Sequence, residues 1–115
     1  MIAVIFEVTP KDGKKDHYLD IAAGLKPLLS EIEGFISVER FQSLTDPRKM
    51  LSVSFFENEE ALVRWRNVAA HRKGQSSGRA EVFEDYRIRI AHVMRDYGMF
   101  EREQAPEDSR EVHSG

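Results

Sequence analysis

The chain has no cysteine. That excludes disulfides, thiolate metal centres and cysteine nucleophiles, and it suits a reducing compartment; the cytoplasm is the expected location. No apolar run approaches the length of a membrane span, so no membrane contact is expected. The apolar start from Ile2 to Val8 is short and lacks a basic lead, so it does not read as a signal peptide. A basic excess is missing too: the formal net charge is -3. A nucleic-acid partner is therefore not expected, because phosphate binding needs a positive field. There is no Gly-rich phosphate loop, no His-Glu-x-x-His, no Gly-x-Ser-x-Gly and no acidic calcium loop. The histidines His17, His71, His92 and His113 are too scattered to mark a metal site.

What is present describes one small soluble domain. At 115 residues a second core does not fit. Residues 2–8 are β-branched and aromatic and predict a buried strand, stopped by the turn cluster Thr9 to Gly13. Tyr18, Ile21, Ala22, Leu25, Leu28, Leu29 and Ile32 recur at intervals of three and four, which puts them on one helix face. Gly34 is placed to end that helix in a left-handed conformation. Residues 35–43 and 49–56 read as two strands around the turn Thr45 to Arg48, and they should pair as an antiparallel hairpin. Asn58 is a good N-cap for the next helix, with Glu59 and Glu60 in its first turn. That helix runs at least to Arg72, and the last strand spans 86–94. The domain covers residues 1–99. Residues 100–115 are charged and poor in apolar groups, and read as a mobile tail.

The order is β-α-β-β-α-β, an α+β ferredoxin-like arrangement with two helices on one face of a four-stranded sheet. Apolar and aromatic residues are interleaved with polar ones on both strand faces, whereas a solvated face would be more uniformly polar. A homodimer packed sheet to sheet accounts for this, with Arg87 and Arg89 near Glu7 or Glu39 as candidate charge pairs.

With these elements placed, the sequence resembles the antibiotic biosynthesis monooxygenase family, whose members are dimeric α+β barrels. The resemblance rests on the element order and on the run from Glu33 to Ile36 that opens the second strand. It rests also on the strand from Leu51 to Phe56 leading straight into the acidic helix start at Asn58, and on Trp65-Arg66-Asn67 followed by His71-Arg72. It covers roughly residues 1 to 98. It implies a monooxygenase that uses dioxygen on an aromatic or quinol-like substrate without metal or flavin. It also implies two alternatives: a haem-binding and haem-degrading enzyme, or a non-catalytic ligand-binding barrel. The haem-degrading pattern has an asparagine on the first strand, where this chain has Phe6 and Glu7, and that departure weighs against haem.

The helix from Asn58 to Arg72 holds the only tryptophan and the spaced pair Asn67 and His71, four apart and so on one side. A free imidazole titrates near ~6.5, so His71 could remove a phenolic proton, with Asn67 orienting the imidazole or a substrate oxygen. Trp65, Phe35, Phe55, Tyr86 and His92 are the candidate substrate-binding residues around a small aromatic molecule. Each also has a plainer role. A lone tryptophan on an apolar helix face is ordinarily core, His71 sits where it can meet the helix dipole, and Asn67 can simply be solvated.

Overall fold

The computed structural model describes residues 1–73 and 82–108, with the backbone alone for residues 70–73. The elements are β1 (Ile2–Pro10), α1 (Lys15–Ser30), β2 (Phe35–Gln42), β3 (Met50–Phe56), α2 (Glu59–Lys73) and β4 (Phe83–His92). The strands form one antiparallel sheet in the order β2-β3-β1-β4. This is the ferredoxin-like α+β fold that the alternation of periods predicts.

Period-two alternation divides the sheet into two faces. On β1, Ile2, Val4, Phe6 and Val8 point to the helices. Two buried clusters form there. Ile2, Leu29, Phe56, Ala61 and Leu62 pack together, with Val4, Phe35, Val38 and Trp65 against them. Val8, Tyr18, Met50 and Val82 make the second, with Phe6 and Phe83 beside it. Phe56 is wholly buried, a burial that stabilises by roughly 1.5–3 kcal/mol.

The entry to α2 follows its sequence signal: the Ala61 N–H donates to the Asn58 side-chain oxygen at 2.9 Å. The exit from α1 does not. The helix ends at Ser30, and the chain continues through short-range bonds from the Ile32 N–H to the Leu29 carbonyl and from the Phe35 N–H to the Ile32 carbonyl. Gly34 has φ of 90°, but it serves the turn into β2 instead of closing the helix. Its approach to Ala61 explains the glycine, because a Cβ there would stand 2.7 Å from the Ala61 Cβ.

The other face of the sheet has Ile5, Val53 and Phe55 near its centre, and neither buried cluster draws on it. Glu7 crosses this face to two cations, Lys49 at 3.6 Å and Arg89 at 3.4 Å. Beyond β4 the Val93 N–H donates to the Met1 carbonyl. The chain then folds on itself: the Asp96 N–H meets the Gln104 side chain at 2.8 Å, and Arg102 donates to the Gly98 carbonyl while lying over the Tyr97 ring. Among the described residues, no helix is long and apolar enough to cross a membrane.

Candidate functional site

An edge strand on a helix-covered face is covered only as far as the helices reach. The clusters beneath α1 and α2 take their strand residues mainly from β1 and β3. On β4 the residues in register with Val8, Phe6, Val4 and Ile2 are Tyr86, Ile88, Ile90 and His92. They share the helix-facing side, yet Tyr86, Ile88 and Ile90 are 42%, 53% and 51% exposed. The result is an open apolar strip, with Phe6 at its inner edge touching the Tyr86 ring at 5.8 Å between centroids.

At its His92 end the strip meets α2. The Glu59 Oε1 lies 3.4 Å from the His92 Nε2, which fixes the start of α2 beside the end of β4. Residues at helical spacing from Glu59, namely Val63, Arg66 and Asn67, continue along that side of the helix. Val63, Arg66 and Asn67 are exposed. Arg64 is already engaged, donating to the Glu33 carbonyl at 3.0 Å.

The residues singled out from sequence fall into three groups. Tyr86 and His92 lie on the strip, and Trp65 and Asn67 are on α2, with Trp65 half-buried against the first cluster. Phe35 is packed edge-on to Phe56, with ring centroids 5.8 Å apart, so it is a core residue. Phe55 is on the opposite face, in register with Ala3 and Ser37, and cannot share a wall with Trp65 or Tyr86. The backbone of His71 belongs to α2; its side chain lies outside the described residues. Ile88, Ile90 and Glu59 were not among the residues singled out. Alternation placed the two isoleucines on the same face as Tyr86 and His92, but only packing shows that the face is open there.

Among the described residues no group of three or more His, Asp or Glu could hold a metal ion. Haem needs an enclosed apolar slot and an inward-facing axial ligand. The one described imidazole on the strip, His92, has a 78% exposed side chain turned to Glu59, which does not fit that role. Near the β2 edge of the sheet an open depression of about 250 Å³ is lined by residues of β1, β2 and β3, among them Glu7, Phe41, Lys49 and Leu51.

Comparison with known proteins places this geometry. The family model described as antibiotic biosynthesis monooxygenase matches residues 1–77. The chain is 47% identical over 93 residues to Jasmonate monooxygenase ABM of Pyricularia oryzae, covering 81% of this chain and 43% of that protein. The chain thus spans less than half the length of that relative. Among solved structures, Rv0793 from Mycobacterium tuberculosis superposes with a TM-score of 0.72 at 12% identity, covering 84% of this chain and 98% of the other. A MhuD variant with two manganese protoporphyrin IX groups per active site superposes with a TM-score of 0.67 at 18% identity, covering 85% and 99%. At those identities the structures speak for the fold, while the family model and the Pyricularia relative carry the assignment. The chain belongs to the antibiotic biosynthesis monooxygenase family.

Proposed function

We propose that this protein is a monooxygenase that binds a small apolar substrate bearing an acidic group, in the cleft between β4 and α2. The observation that carries the reading is the half-exposed strip of Tyr86, Ile88 and Ile90 on the face where the β1 and β3 residues pack beneath the helices. Apolar side chains left open beside a helix with polar groups at Asn67 and Arg66 are what such a ligand requires. Trp65, packed on the first cluster, supplies an apolar wall, and His92 stands at the end of the strip beside Glu59.

In the cofactor-independent form, the substrate is an electron-rich phenol or quinol. His71 acts as the base and Asn67 holds the developing oxyanion. Proton loss makes the substrate a reductant toward dioxygen. A carbon–oxygen bond forms to give a hydroperoxide, the oxygen–oxygen bond then breaks with loss of water, and a methylene has become a carbonyl. The substrate supplies all four electrons, so no flavin or metal enters the balance. The protein acts as a homodimer through its open sheet face.

A second reading is supported by the Pyricularia relative, which is named for jasmonate. Jasmonate is a carboxylate. Hydroxylating a carbon that no neighbouring oxygen activates consumes two electrons beyond those the substrate gives, so an external reductant must be supplied. Oxygen uptake separates the two. The cofactor-independent reading expects uptake with a phenol or quinol panel in a metal-chelated, flavin-free buffer, lost in His71→Ala. Uptake only with jasmonate plus a reduced nicotinamide or flavin would overturn it in favour of the second.

A further inference from the structure

A sheet face that lies under helices is ordinarily apolar along every strand. On β2 and β3 it is not. Val38 packs with the first cluster, so Arg40 and Gln42, two and four residues on, take the same side. Paired with Val38, Arg40 and Gln42 are Ser54, Ser52 and Met50 of β3, and Met50 belongs to the second cluster. Arg40, Ser52 and Ser54 thus form a polar patch between Val38 of one core and Met50 of the other. β2 is an edge strand, and α1 is in contact with it.

Arg40 is half-buried. Its Nε is enclosed and has no hydrogen-bond partner, while its terminal nitrogens are not enclosed. No carboxylate pairs with it among the described residues. Glu39 and Glu7 are in register with Val53 and Leu51, on the opposite face. The Ser52 and Ser54 hydroxyls make no hydrogen bond among the described residues either. Gln42 is committed elsewhere, its Nε2 donating to the Pro47 carbonyl at 2.6 Å.

The patch is therefore a set of donors around one positive charge that no acid neutralises. Leaving an enclosed, charged donor unmatched is costly. A guanidinium held by its stem, with its outer fork open, matches a carboxylate or phosphate through two parallel bonds, and a neighbouring hydroxyl can add a third. We propose that Arg40, with Ser52 beside it, binds a small oxyanion, a carboxylate or a phosphate, at the β2 edge of the sheet. The site is distinct from the apolar strip on β4. Along the row Arg40, Ser52, Phe6, Ile88, three strand spacings, about 14 Å, separate Arg40 from Ile88.

Nuclear magnetic resonance of the full chain tests it through the Arg40 Nε–H signal, identified by its loss in Arg40→Lys. Sodium benzoate and sodium phosphate are titrated separately, each against sodium chloride at the same ionic strength. A saturable shift of that signal and of the Ser52 amide is expected at millimolar concentration, and the tighter of the two anions identifies the ligand as carboxylate or phosphate. Followed at the Ser52 amide, Arg40→Lys should weaken binding about tenfold, since it keeps the charge and loses the fork. Ser52→Ala should weaken it about threefold to tenfold, and it keeps the test open if Arg40→Lys fails to fold. No shift with either anion, a shift that chloride reproduces, or binding of wild-type affinity in both variants would overturn the proposal.

Discussion

Gly34 and Ala61 are in contact at a separation that leaves no place for a side chain between them. A Cβ built on Gly34 falls 2.7 Å from the Ala61 Cβ, and the backbone there has a φ of +90°. The turn into β2 is thereby held against the first turn of α2, beside the Glu57 N–H bond to the Gly34 carbonyl at 2.7 Å. Gly34→Ala meets both the steric and the backbone penalty. It should lower stability by about 2–4 kcal/mol, read as a reduced midpoint in urea denaturation with an unchanged slope. A loss under about 0.5 kcal/mol would mean that the turn moves freely away from α2.

Asn58 caps α2 through the Ala61 N–H. Asn58→Ala should cost about 1 kcal/mol, and Asn58→Asp or Asn58→Ser should restore most of it. Thermal denaturation of the three variants decides the point. Equal melting temperatures for wild type and Asn58→Ala would show that the cap adds nothing.

Neighbouring phenylalanines on β3 should behave differently. Phe56 is fully buried in the first cluster, and Phe56→Ala should cost about 3–5 kcal/mol. Phe55 lies on the open face, so Phe55→Ala should act mainly on self-association and only weakly on the unfolding of the isolated subunit. Denaturation at two protein concentrations separates these effects. Similar losses for both, independent of concentration, would contradict the assignment of faces.

The strip on β4 should matter for the ligand and little for folding. Ile88→Ala and Ile90→Ala remove half-exposed side chains, so each should cost under about 1 kcal/mol. Each should still lower kcat/KM several-fold once a substrate is identified. Full activity in the double variant would remove the strip from the site.

Much of this was legible from pattern. Alternation along the strand puts Tyr86, Ile88, Ile90 and His92 on one face, and the register with β1 agrees. The cap at Asn58 and the hairpin of β2 and β3 are local features, decided by nearby residues, and both are present. Strand faces on β2 were harder. Phe35 and Val38 both pack with the core although they are three apart, because the pairing with β3 shifts register between Phe35 and Ser37. A bulge is a property of two strands together, and one strand's alternation does not announce it. The same holds for Ile88 and Ile90, since sequence gives the face of a residue but not how far a helix extends over it.

The central claim is that the family's oxygen chemistry takes place in the cleft between β4 and α2. It is tested most directly by turnover under isotopically heavy dioxygen, with mass spectrometry of the product from a phenol or quinol substrate. The account predicts one heavy oxygen atom per product carbonyl, the other in water, and loss of both signals in His71→Ala and in Ile88→Asp. Heavy oxygen incorporated at the wild-type rate by both variants would place the chemistry elsewhere on the protein and contradict the account.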